Sequence, residues 1–461
     1  MTTHEIPILA EGSVSELEQS LRGRLVRPSD DDYDERRAIW NGAHDRRPAL
    51  IARCAGVADV IRALEFARSE ELQVAVRAGG HSIPGFSSVD GGIVIDLSPM
   101  KGIQVDPRRR TARVQPGVTW AELDHETQAF GLATTGGLVS STGVAGFTLG
   151  GGIGWLMRKH GLAADNLIAA DVVTADGRFV HATEHENAEL FWGLRGGGGN
   201  FGIVTEFEFQ LHRTGTRTLV AEFDFRAEDA VPVLEGWREL NAVAPREATF
   251  TADVSGSSAG PIATVGFVWV GDPARGRRLL PAMRALGRPV AARVTAPSYL
   301  ALQRRDDSTG GHAYRRYSTA HYLGQFPTAA IEAFLLRGAG DLHAGSHLPG
   351  VGLQAHGGAI ADVPDADAAF SHRGTMFEFG AGARWTDPAE DAARMAAARA
   401  AGAALDPYAS GVYVNSLNAE DGHRGVRRAY PAAKLARLAA LKATWDPRNV
   451  FHLNQNIRPA R

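Results

Sequence analysis

Glycine is placed in clusters along this chain, and that feature most constrains its fold. Gly79-Gly80, Gly136-Gly137, Gly150-Gly151-Gly152 and Gly196 through Gly199 all fall in the first half. Few folds need so many unhindered backbone positions near one another. A backbone that wraps closely around a ligand does. Between the clusters, short apolar runs alternate with helical patterns. Val74-Ala75-Val76-Arg77 and Ile93 to Leu97 predict buried strands. Ala58 to Glu70 predicts a helix with Val60, Ile61, Leu64 and Ala67 on one face, and Trp120 to Phe130 predicts another.

From about Thr216 the texture changes. Leu219 to Phe225, Ala248 to Val254 and Ile262 to Val270 read as longer strands separated by helical stretches. An antiparallel sheet with helices on one face is the expectation. Pro388 to Gly402 is Ala-rich and helical in pattern, and Lys434 to Trp445 predicts a last helix stopped by Asp446-Pro447. The 461 residues exceed what one ordinary core serves, so two domains, or one domain with a large insertion, are expected.

The net charge of −3, from 49 basic and 52 acidic residues, gives no footprint for nucleic acid or an anionic membrane. The single cysteine, Cys54, rules out an intramolecular disulfide and a Cys-rich zinc site. It reads as a buried, inert thiol at a strand end. No secretory signal pattern opens the chain and no run of about 18 apolar residues occurs, so a cytoplasmic protein is expected.

Three motif matches fail on context. Gly197 to Gly202 fits G-x-G-x-x-G, but Ile203 to Leu211 after it alternates as a strand, where a dinucleotide fingerprint opens a helix. Gly256-Ser257-Ser258-Ala259-Gly260 fits a nucleophile elbow but joins two strands, which predicts a hairpin. His181 to His185 fits H-x-x-E-H, yet it follows the turn signal Asp176-Gly177 and predicts a polar loop, with no metal site.

A different set holds together. Arg77-Ala78-Gly79-Gly80-His81-Ser82 ends a buried strand in two glycines, whose N–H groups can converge as an anion nest. Gly143 to Gly154 and Gly196 to Val204 supply two further glycine-rich loops, and the chain closes with Asn449 to Ile457. This ordered set resembles the berberine bridge enzyme-like branch of the vanillyl-alcohol oxidase flavoprotein family. The resemblance covers most of the chain and is strongest from Arg37 to His212 and from Tyr413 to Pro459. It implies an α+β fold with a two-part FAD-binding domain, residues 1–212 completed by 411–461. Between them, residues 213–410 would form a substrate domain with an antiparallel sheet covered by helices.

The resemblance further implies that FAD meets Arg77, Ala78, Gly79, Gly80, His81 and Ser82 of the first turn. Val139, Thr142, Gly143, Gly146, Gly150 and Gly152 would follow from the second. Gly202, Ile203 and Val204 come from the third, and Asn454 and Asn456 from the tail. In the family the histidine at the place of His81 bonds to the flavin 8α-methyl carbon. Many members add a cysteine at the place of Val139, so attachment here is expected through His81 alone. One link instead of two implies a less extreme potential and a less open site. Thr142 falls beside the flavin edge that dioxygen approaches; its small size favours oxidase over dehydrogenase behaviour. A threonine there is also similar to oxygenating members that use a flavin-N5-oxide.

The family motif Y-x-N-Y, on a strand of the substrate domain, carries a tyrosine base at its end. Tyr413-Val414-Asn415-Ser416 puts a serine there, too weak a base unaided. Glu378, on a strand facing the flavin, is the favoured replacement and His356 the second, with Tyr413 and Asn415 orienting substrate. The expected function is oxidation of a small organic substrate (alcohol, sugar, amine or natural-product intermediate) with dioxygen as acceptor. The alternatives are an oxygenating biosynthetic flavoenzyme and a non-catalytic flavin-containing binding protein.

Overall fold

The computed structural model describes residues 9–258, 260–307, 311–342, 345 and 347–460. The β-branched runs Val74–Arg77 and Ile93–Asp96 are strands and pair in parallel. Leu50–Arg53 adds a third parallel strand, and Arg24–Val26 closes the four-stranded sheet antiparallel. The helix Val57–Ser69 is the crossover. It buries Val60, Ala63, Leu64 and Ala67 at helical spacing against the sheet, each large side chain contributing roughly 1.5–3 kcal/mol. Cys54, just past Leu50–Arg53, is wholly buried, and burial holds its thiol well above the ordinary range.

A second, five-stranded antiparallel sheet has Ile203–Gln210 at its centre, between Thr111–Val114 and Leu167–Val173. Phe207 and Phe209 alternate into the core with period two. The Gly196 to Gly199 cluster therefore leads into a strand, as the alternation predicts. Gly143 to Gly150 differs from its expected loop. Val144–Leu149 is a short helix, because Val144, Ala145, Thr148 and Leu149 find buried places on it.

The middle of the chain forms an eight-stranded antiparallel sheet. Helices Ala230–Ala242, Thr328–Leu336 and Asp391–Leu405 cover one face, whose core contains Phe223, Phe250, Phe377 and Phe379. The opposite face turns toward the glycine-rich half. There Val220 and Val268 cluster with Trp155 and Leu156. The cross-strand registers set Glu222, Gly266, Thr251, Gln354, Glu378 and Tyr322 in one row on that face.

The chain then returns. Helix Ala432–Trp445 packs against helix Ala188–Leu194, burying Leu438 and Leu441 beside Phe201. No helix among the described residues is long and apolar enough to cross a membrane.

Candidate cofactor and active site

The three glycine-rich segments and the C-terminal tail converge on one cleft of about 450 Å³. Its wall includes Ala78, Gly79, Gly80, His81, Ser82, Val139, Thr142, Gly143, Gly146, Gly202, Ile203, Val204 and Asn454. The segments approach so closely that a Cβ on Gly79 would overlap the Gly143 backbone, and one on Gly143 would overlap Gly79. Gly80 has φ +67°, the left-handed region that favours glycine. Its carbonyl accepts from Trp40 N at 3.1 Å.

Four residues expected at the cofactor stand elsewhere. Arg77 is 6% exposed and pairs with Asp96 at 2.9 Å, tying two parallel strands at their ends. Gly150 lies behind Asn415, where a side chain would strike the amide. Gly152 N–H donates to the Tyr413 hydroxyl at 2.9 Å. Asn456 lines a smaller, adjoining cavity that shares Phe86, Asn454 and Gln455 with the main cleft. These four support the wall from behind or beside it.

The wall fits a flavin dinucleotide. Val74, Val76, Leu97, Phe451 and Leu453 offer apolar flanks to flat rings. Ser87 Oγ and Asn454 Oδ1 are buried in the wall without a hydrogen-bond partner, so a bound polar group has partners waiting. Gly79 and Gly80 leave backbone N–H groups approachable, as a pyrophosphate requires.

His81 lies in this wall. Its ring stacks on Trp40, with centroids 4.4 Å apart and planes 17° from parallel. Nε2 shares a hydrogen bond with Ser141 Oγ at 2.9 Å, and Nδ1 lies 3.4 Å from Thr142 Oγ1. Burial and then the field of Arg316 push its pKa down to about 4, against the opposing pull of Asp307. The imidazole is therefore neutral at neutral pH. Val139 also lines the cleft, and Cys54 does not.

Tyr413 and Asn415 line the cleft as expected, although not on a strand. The strand Ala409–Gly411 ends first, and Val414–Ser416 is a 3-10 turn. The Tyr413 hydroxyl accepts from Gly152 N and from Asn415 Nδ2 at 2.8 Å, which fixes the turn on the glycine loop. Burial and the field of Glu378 raise the Tyr413 pKa well above its usual value.

Glu378 and His356 come together behind this tyrosine, outside the cleft wall itself. Glu378 Oε2 lies 3.9 Å from His356 Nε2, and Ser416 Oγ donates to Oε1 at 3.4 Å. Gln354 and Tyr322 flank Glu378 on the neighbouring strands. His356 Nε2, Gln354 Nε2 and Tyr322 Oη are all buried without a hydrogen-bond partner. A carboxylate thus stands among three polar groups whose hydrogen bonds are unmade.

The sequence reading missed Trp40, Ser141, Arg316, Gln354 and Tyr322. None sits in a recognisable motif; Gln354 and Tyr322 follow only once the strand register is known. Two of the three discarded motifs behave as expected, while the His181 to His185 match begins on a strand and not in the predicted polar loop. Ser257 and Gly260 pair across a hairpin, His181 lies on strand Phe179–Ala182 bound to Asp171 at 2.6 Å, and Ile203 opens a strand. Among the described residues no group of side chains is arranged to hold a metal ion.

Residues 48–183 match the family model described as an FAD binding domain, and residues 412–458 match that described as berberine and berberine like. The chain is 32% identical over 453 residues to (R)-6-hydroxynicotine oxidase of Paenarthrobacter nicotinovorans, covering 95% of this chain and 97% of the relative. The crystal structure of 6-hydroxy-D-nicotine oxidase from Arthrobacter nicotinovorans superposes with TM-score 0.84 at 30% identity, over 96% of this chain and 99% of that one. A chitooligosaccharide oxidase structure superposes with TM-score 0.87 at 25% identity, over 98% and 100%.

Proposed function

The chain belongs to the berberine bridge enzyme-like FAD-linked oxidoreductases, and from that premise we propose an oxidase that carries FAD on His81 alone. It is an FAD-dependent oxidoreductase. The observation that carries the finer reading is the state of His81. Its ring is in the cleft wall, neutral and fixed between Trp40 and Ser141, while Val139 offers no second nucleophile.

FAD bound in the cleft would take two electrons from the substrate and pass them to dioxygen. The protein's own part is to hold and to move a proton. Gly79, Gly80 and the tail around Asn454 hold the cofactor, Thr142 leaves room for dioxygen, and His81 prevents the flavin's loss. Glu378 takes the proton from the substrate hydroxyl or amine, with His356, Tyr322 and Gln354 orienting the group that loses it. Tyr413 and Asn415 fix the substrate's position at the edge of the cleft. Residues 1–212 and 411–461 would then act as the cofactor part and 213–410 as the substrate part. The named relatives act on a hydroxynicotine and a chitooligosaccharide, which supports a small amine, alcohol or sugar as substrate here.

Acid precipitation tests the attachment. The wild-type precipitate should stay yellow and fluoresce, and a His81→Ala precipitate should be white with its flavin in solution. A wild-type supernatant that takes all the colour would overturn the covalent reading.

A further inference from the structure

We propose that Trp40 and Arg316 form a clamp that holds the His81 ring flat and uncharged for its bond to the flavin. This rests on the attachment reading above and adds two positioning residues to it. Three layers are stacked. The Arg316 guanidinium carbon lies 3.7 Å from the centroid of the Trp40 ring, and His81 stacks on Trp40 at 4.4 Å.

The outer layer is itself fixed. Arg316 Nη1 donates to the carbonyls of Trp40 at 2.5 Å, Gly311 at 2.7 Å and Tyr314 at 2.8 Å. Its backbone N donates to Asn41 Oδ1 at 2.8 Å, and Asn41 Nδ2 donates to Arg316 O and to Ile83 O. Asn41 is 1% exposed, so this joint excludes water. Arg316 belongs to strand Arg315–Leu323 of the eight-stranded sheet, whereas Trp40 and His81 belong to the glycine-rich half. The anchor histidine is thus gripped from the part of the molecule that would hold substrate.

The chemistry requires such a grip. Forming the bond breaks one C–H of the flavin 8α-methyl and the imidazole N–H and makes one N–C bond. The two electrons and two protons released leave on dioxygen as hydrogen peroxide. An imidazolium has no lone pair to offer, so a proton must be kept off the attacking nitrogen until the bond exists. Arg316, on the far face of Trp40, supplies a fixed positive charge for that purpose, and it stays protonated at neutral pH even though burial lowers its own pKa to about 10. Asp307 is the charged group that opposes it at His81, while Arg384 and Tyr314 flank Arg316. Ser141 holds the other ring nitrogen.

The test compares Trp40→Leu, Trp40→Phe, Arg316→Met and Arg316→Lys with the wild type, each purified as the folded, FAD-containing protein. The flavin left with the acid precipitate gives the attached fraction. For protein still unattached, the rate of attachment in air is followed from pH 5 to pH 8. Trp40→Leu should attach at least about tenfold more slowly, the cost of a misplaced nucleophile, and Trp40→Phe should restore most of the rate. Arg316→Met should lose part of its attachment on the acid side, its pH profile moving up but stopping short of ordinary histidine behaviour because burial of the ring remains. Arg316→Lys, which keeps the charge, should not. Equal attachment and an unshifted profile in Trp40→Leu and Arg316→Met would overturn the clamp. A wild type without covalent flavin would instead overturn the attachment reading beneath it.

Discussion

Glu378 has Ser416 Oγ at 3.4 Å and His356 Nε2 at 3.9 Å, both too far for a strong bond. On the proposed reading, a carboxylate so loosely held keeps its lone pairs for a substrate proton. Glu378→Gln keeps the shape and removes the base, so kcat should fall by about 10²–10⁴-fold while the protein stays yellow. Ser416→Ala should change kcat far less, because the serine touches only one oxygen of Glu378. Stopped-flow reduction of the flavin under nitrogen measures both. An unchanged reduction rate in Glu378→Gln would take the base role away from it. At this scale the family resemblance was the legible part: the three positions it implies, His81, Val139 and Thr142, all line the cleft. It misled at Arg77, which adjoins the glycine turn but is a strand residue whose side chain meets Asp96 of the next strand. It was silent on Trp40 and Arg316, which reach His81 from segments with no motif, brought there only by tertiary packing.

Helix Ala432–Trp445 was legible from its apolar spacing and its Asp446-Pro447 stop, but its most telling residue was not. Lys442 is fully buried. Its Nζ donates to Asp446 Oδ2 and to Asn200 O at 2.7 Å, and to Phe451 O at 2.9 Å. One ammonium therefore joins the end of the helix, the third glycine segment and the tail that carries Asn454. Asp446 completes the reversal by accepting from Val450 N and Phe451 N. Lys442→Met would leave the Asp446 carboxylate buried without its ion-pair partner, at a cost of about 3–5 kcal/mol. Urea unfolding followed by tryptophan fluorescence checks this, and a loss below about 1 kcal/mol, the scale of an exposed pair, would show that the pair is not what holds the tail. Other elements diverged from their sequence reading for similar reasons of context. Val144–Leu149 turned helical because its apolar residues face the core, and Val414–Ser416 left the sheet because the Tyr413 hydroxyl is held by the Gly152 N–H.

At the scale of the whole molecule, the eight-stranded sheet and the glycine-rich half meet through polar joints, which no periodicity in the sequence reveals. Arg373 pairs with Asp165, Arg158 donates to His356 O, Ser140 is held by Asp307, and Asp124 accepts from Gln303 Nε2 at 3.0 Å. Asp124 is 2% exposed, and burial pushes its pKa up to about 7, against the Gln303 hydrogen bond and the Arg304 charge that favour the anion. In the unfolded chain an aspartate titrates near about 3.9. Between those values the folded protein binds a proton that the unfolded chain lacks, so this joint weakens as pH rises from about 4 to about 7 and is level above that. The limit is ~1.4 kcal/mol per pH unit. Asp124→Asn removes the titration, and its amide can donate to Gln303 Oε1, a buried atom that otherwise has no partner. Urea unfolding of wild type and variant at several pH values should give near-equal stability at the acid end and a growing advantage for the variant up to about pH 7. A difference that stays constant from pH 5 to pH 8 would mean that Asp124 is ionised throughout and that the joint is an ordinary charged hydrogen bond.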